Sequence, residues 1–249
     1  MVTMIRFNKL RALMVAVALI GISSYSFAQL SGVGRVGVNF ANLSGSSVQN
    51  NKMLIGYNVG GGVNYGLSDL ISGDIGEILS AQVELSIQTK GTEADYLYLT
   101  QGPENTIDTI SNVKQNFTYF QIPILAKATF GDPKGLRYYG ELGLFVASLT
   151  GLTFDGEKMR DHDYDNTTDR RKYREEYSGF DFGLTVGAGV SVPFGGRKSP
   201  WSAFANVRYS LGLNNIGEYK NGTEDIPEEY LEDVKTNTLS VLLGVAYKL

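Results

Sequence analysis

The chain has 249 residues, with 22 Lys and Arg against 26 Asp and Glu, one His and no Cys. A net charge of −4 offers no basic stripe for nucleic acid, and a chain without cysteine forms no disulfide and carries no lipidation site on a thiol. Glycine at 30 and tyrosine at 15 are high and proline at 6 is low, while a mean hydropathy near zero suits a strand protein that turns only every second residue toward an apolar solvent.

The first element is a leader. Arg6, Lys9 and Arg11 precede an apolar run from Leu13 to Ile22, and Ser26-Phe27-Ala28 has the small-x-Ala form of a cleavage site, so a secretory signal peptide over 1–28 is expected, cut between Ala28 and Gln29. The run is about half of the roughly twenty apolar residues that a membrane helix needs. The leader holds three of the 22 basic residues and none of the 26 acidic ones, which leaves the domain 29–249 with a net charge of −7. No later stretch is long and apolar enough for a membrane helix.

The rest of the chain follows a period of two, the mark of strands with one apolar and one wetter face. The first strand, near Gly32 to Ala41, sets Val36, Val38 and Phe40 against Arg35, Gly37 and Asn39. The second, near Leu54 to Tyr65, sets Ile55, Tyr57, Val59 and Val63 against Gly56, Asn58, Gly60 and Gly62. From Leu79 to Thr89, Ala81, Val83, Leu85 and Ile87 alternate with Ser80, Gln82, Glu84 and Gln88. A fourth strand from Phe117 to Phe130 puts Tyr119, Gln121 and Lys127 inward, and a fifth from Leu136 to about Leu149 puts Arg137, Tyr139 and Glu141 inward. The sixth, from Phe180 to Phe194, turns Asp181 inward, and the seventh, Trp201 to Leu213, turns Arg208 inward. In the eighth, Leu239, Val241, Leu243, Val245, Tyr247 and Leu249 take every odd position to the end of the sequence.

Connection lengths alternate as well. Long segments near 42–53, 90–116, 150–177 and 214–235 follow the odd strands, and shorter ones near 66–78, 131–135 and 195–200 follow the even strands. Short turns on one rim and long loops on the other predict an all-β, eight-stranded antiparallel up-and-down transmembrane barrel with extracellular loops. Tyr65, Phe130, Tyr138, Phe194, Trp201 and Tyr247 would gather at the short-turn rim as an interfacial girdle. A soluble β-sandwich also alternates. Its second face would be rich in lysine, glutamate and threonine, whereas the face here is glycine-rich with isolated charges, and strands of ten residues or more exceed the usual five or so in soluble sheets.

Four blocks carry a family resemblance over the whole exported domain: Gly37 to Gly45, Gln82 to Gly91, Phe120 to Lys127, and Arg208 to Ile216. In order and spacing they resemble the PorT-like outer-membrane β-barrel family of Bacteroidetes. The resemblance implies an outer-membrane location in a Gram-negative cell, a barrel domain and, loosely, a link to protein secretion. The sequence departs from the usual assembly signal in ending on Leu249 rather than phenylalanine.

An eight-stranded barrel is just wide enough to be filled by its own side chains. The inward charges Arg35, Lys127, Arg137 and Arg208 against Glu84, Glu141 and Asp181 therefore predict a network of ion pairs in the lumen, because an unpaired buried charge is costly. The competing reading of the same residues is a narrow ion path, a small porin-like channel. No enzyme is expected: His162, the one histidine, lies in a charged loop with nothing to place a serine beside it. Asp161, Asp163, Asp165 and Asp169 resemble the start of a calcium loop, but Asn166 replaces the needed glycine and Lys172 the bidentate glutamate. No cofactor is expected. The partners expected are outer-membrane lipid and lipopolysaccharide, the barrel assembly machinery, and proteins bound through the surface loops, where Arg170, Arg171, Lys172 and Arg174 could meet phosphates.

Overall fold

A computed structural model describes residues 29–45, 51–100, 106–155, 157–158, 177–196, 199–217 and 234–249. The expected leader with Ala28, His162, the Asp161–Asp169 run and the basic cluster from Arg170 to Arg174 lie outside the described residues. Among the described residues nine strands and one short helix form: β1 Leu30–Ser44, β2 Leu54–Gly66, α1 Asp74–Ile78, β3 Leu79–Thr100, β4 Thr106–Gly131, β5 Arg137–Phe154, the two-residue β6 Glu157–Lys158, β7 Phe180–Pro193, β8 Trp201–Gly212 and β9 Lys235–Lys248.

Each long strand runs antiparallel to the next in the chain, and β9 pairs with β1 from Ser31↔Lys248 to Ser44↔Lys235, so the sheet closes on itself. The result is an eight-stranded up-and-down barrel, with β6 a small return along the end of β5. Alternation drives the closure: burial along β9 switches at successive residues, with Leu239, Val241, Leu243 and Val245 outside and Thr238, Ser240 and Leu242 inside. A flat sheet with this pattern would leave one face and two edges unsatisfied, and closure removes both edges.

The exterior is apolar. Along β7, Phe182, Leu184, Val186, Val190 and Val192 are exposed, a stretch that rises about 25 Å at the usual strand tilt. Phe180 and Phe194 flank it at either end, also exposed. At the short-turn rim the Trp201 ring lies 4.8 Å from that of Tyr247 and 6.4 Å from that of Phe194. The turn after β4 is tight because Gly131 takes φ 107°, which favours glycine, and the Asp132 carboxylate accepts the Lys134 N–H at 2.8 Å.

Two segments differ from the sequence expectation. Residues 90–116, expected as a loop, are mostly strand: β3 and β4 stay paired out to Thr100↔Thr106, interrupted by a bulge near Ala94. The segment 66–78 holds α1, which alternation does not signal. From Gln88 to Thr92 every residue is buried, so the two-residue alternation of burial stops while backbone pairing continues.

Candidate functional site

Among the described residues, polar side chains converge from every wall in the lumen. Period-two alternation sends Arg35 of β1, Glu84 of β3, Glu141 of β5 and Arg208 of β8 into it, all buried. Arg208 donates to both oxygens of Glu84, Nη1 to Oε2 at 2.8 Å and Nη2 to Oε1 at 3.1 Å, and its Nε donates to Glu141 Oε1 at 2.6 Å. Arg35 Nη2 reaches Glu84 Oε2 at 2.6 Å, and Gln82 donates to Glu84 as well. Two arginines and two glutamates thus make a neutral cluster that ties four strands together across the barrel. Buried charges persist in such a setting because each faces an opposite one, although Arg35 Nε and Nη1 find no hydrogen-bond partner among the described residues.

Glycines make room for this cluster. Gly60 and Gly244 lie across from Arg35, Gly62 across from Glu84, and Gly187 across from both Glu141 and Arg208. A Cβ on Gly187 would stand 2.6 Å from Glu141 Oε1, inside van der Waals contact.

Toward the long-loop end an amide layer follows. Gln88 Oε1 accepts from Asn58 at 2.8 Å and from Asn39 at 3.1 Å, Gln88 donates to Gln121, and Ser240 donates to Asn39 at 2.7 Å. Beyond it, Lys90 Nζ donates to Asp181 Oδ2 at 2.8 Å, Thr236 donates to the same oxygen, and the ammonium sits 4.1 Å from the Phe145 ring centre. A cluster including Leu43, Phe117, Tyr119, Leu149, Ile216 and Val234 then fills the end of the lumen. Sequence reasoning missed Lys90, which it placed in a loop, and it missed this apolar cap. Parity was the available signal, since Lys90 continues the inward series Glu84, Ser86, Gln88.

The other expected lumen charges are placed apart from the cluster. Asp181 serves Lys90, and Lys127 lies over the Tyr139 ring at 3.6 Å. Arg137 lines a cavity of about 120 Å³ that lies toward the short-turn end and is bounded by Glu84, Lys127, Tyr139, Glu141 and Arg208 among others. Gln29, the expected first residue after cleavage, donates to Ser68 Oγ at 2.7 Å on the short-turn rim. Among the described residues no cluster of three or more His, Cys, Asp or Glu could hold a metal.

A family profile described as "Outer membrane protein beta-barrel domain" matches residues 27–218. The chain belongs to that family. Its barrel is accordingly an outer-membrane barrel, and the exposed even-numbered face of β7 and odd-numbered face of β9 meet lipid. Neisserial surface protein A is similar at 16% identity, covering 88% of this chain and 97% of that one, with a TM-score of 0.43. The outer membrane protein OprG from Pseudomonas aeruginosa is similar at 10% identity, covering 89% and 96%, with a TM-score of 0.44. The attachment invasion locus protein of Yersinia pestis, solved with the heparin analogue sucrose octasulfate, is similar at 13% identity, covering 88% and 99%, with a TM-score of 0.39. No curated protein matches the chain.

Membership in this outer-membrane family makes the exterior testable by depth. Val186 lies midway along the apolar stretch of β7 and is 52% exposed, whereas Phe194 lies at its end. Val186→Arg is expected to destabilise the barrel by about 2–4 kcal/mol and Phe194→Arg by about 0–1 kcal/mol. Urea unfolding in lipid vesicles measures both, and equal costs would contradict the assignment of Val186 to the bilayer centre.

Proposed function

We propose that this protein is a closed, non-conducting outer-membrane barrel of structural or interaction type, exported by a cleaved leader. Its long loops and the projecting β3–β4 hairpin present a cell-surface binding platform for lipopolysaccharide or for protein partners. On this reading the short turns and both ends of the barrel domain face the periplasm. The observation that carries it is the layered filling of the lumen: the Arg35–Glu84–Arg208–Glu141 cluster, the Asn39–Asn58–Gln88–Gln121 layer, and the apolar cap over Lys90. An ion crossing the barrel would have to part hydrogen-bonded charges in a low-dielectric space and then pass the apolar cluster around Phe117 and Leu149. The resemblance to PorT-like barrels adds a role beside a secretion machine, and assembly would run through the barrel assembly machinery.

The cavity of about 120 Å³ favours a second reading, a small porin-like channel in which that space is one half of a path. Planar-bilayer recording of the purified, heat-modifiable protein separates the two. Silence at both polarities is expected. Steady, ion-selective steps would overturn the closed reading and make Glu84 and Arg208 the filter, whose joint neutralisation would then change selectivity.

A further inference from the structure

We infer that the short-turn half of the lumen is a binding vestibule for one small oxyanion, a phosphate or phosphoryl group, held between Lys127 and Arg137. Charge on the cavity wall is the starting point. Glu84 and Glu141 both face the space, but they are already held by Arg35 and Arg208. Lys127 and Arg137 face it too, and among the described residues neither forms an ion pair. With Arg35 counted behind the wall, Arg35, Lys127, Arg137 and Arg208 face Glu84 and Glu141, an excess of two positive charges, although Glu141 is the register partner of Lys127.

Local geometry favours an oxyanion over diffuse counter-ions. Arg137 Nε is buried yet has no hydrogen-bond partner, a donor left unsatisfied within the folded chain. Lys127 is held over the Tyr139 ring at 3.6 Å, which fixes the ammonium without using its three N–H donors. Hydroxyls of Ser31, Thr129, Ser191 and Ser202 line the same space. A planar guanidinium fork, a point charge and a ring of hydroxyls are the donor set that suits a tetrahedral oxyanion with several acceptor oxygens. The volume of about 120 Å³ holds roughly four waters or one such anion with part of its shell. Access is open on one side: a second cavity shares Ser31, Asn64, Thr129 and Arg137 with the first and continues to Glu77 and Lys248, whose opposite charges balance at the mouth.

Isothermal titration of the purified protein in detergent with inorganic phosphate, at constant ionic strength set by chloride, tests the assignment. One saturable site is expected, weakened at least tenfold in Arg137→Gln and in Lys127→Met, with Arg137→Lys between them and the wild type. The Arg137 side chain forms no ion pair among the described residues, so its variants keep the test informative if Lys127→Met fails to fold. Equal binding in wild type and Arg137→Gln, or no saturable heat at all, would overturn the site. Glycerol 3-phosphate identifies the source: binding tighter than inorganic phosphate assigns the vestibule to a lipid headgroup, and weaker or equal binding assigns it to the free anion. Conductance plays no part in this readout, so its result stands apart from the closed-barrel reading.

Discussion

Glu84→Ala is expected to destabilise the barrel by about 3–5 kcal/mol, the range for removing one partner from a buried ion cluster. Glu84 is 1% exposed and holds two arginines, so its loss strands Arg35 entirely and leaves Arg208 on Glu141 alone. The size of the effect comes from the residual charge rather than from the lost bonds. Adding Arg35→Met to Glu84→Gln removes that charge, leaves the Arg208–Glu141 pair, and should recover most of the stability. Urea midpoints in lipid vesicles for Glu84→Gln, Arg35→Met and the double variant measure the coupling between the two sites. A cost under about 1 kcal/mol for Glu84→Ala would mean that water already solvates these arginines, and the cluster would lose its role in holding the walls together.

The second large effect lies deeper. Asp181→Ala leaves the fully buried Lys90 ammonium with only Thr236 and two aromatic faces, and a loss of about 3–5 kcal/mol is expected. Lys90→Met with Asp181→Leu replaces the pair by apolar groups of similar size beneath the existing cap, and such exchanges are often neutral or stabilising. The temperature at which unboiled protein shifts to its unfolded gel mobility reads both variants. If the double variant is as unstable as the single one, the pair is positioning the β3 and β7 walls and not merely neutralising itself.

What was legible in the sequence follows from where each residue meets its solvent. Val36, Val83, Val186 and Val241 announce their strands because lipid on one side and a polar lumen on the other impose opposite preferences on alternate positions. Arg35, Glu84, Glu141 and Arg208 were identifiable as inward by parity alone, but their partners were not, because strand order fixes register only between neighbours. The Glu84 contact with Arg208 crosses the lumen over 124 positions of sequence. The continuation of β3 past Thr89 escaped notice because Thr89, Lys90 and Thr92 put buried polar side chains on both faces, so the alternation stops there. Gly91 sits within β3 at φ 149°, where a Cβ would approach Gln115 O to 1.9 Å. The apolar cap was hidden for the opposite reason: Phe145 and Leu149 face inward, so apolar side chains occupy both faces of β5 there and mask its period.

The β1–β9 seam has a consequence for how the molecule is made. Asn39 and Ser240 are bonded across it although they are 201 positions apart, and Leu249 N–H donates to Leu30 O at 2.9 Å. Until β9 arrives, β1 and β8 each present a bare row of donors and acceptors, two adhesive edges that could capture a strand from another chain. Half-made intermediates are therefore the hazardous species, and the last fourteen-residue strand acts as the fastener that turns a sticky sheet into an inert cylinder. Quality control of this protein has a natural checkpoint at that moment: a chain that loses β9 would have no partial barrel to fall back on, only an open sheet whose free margins invite aggregation or proteolysis.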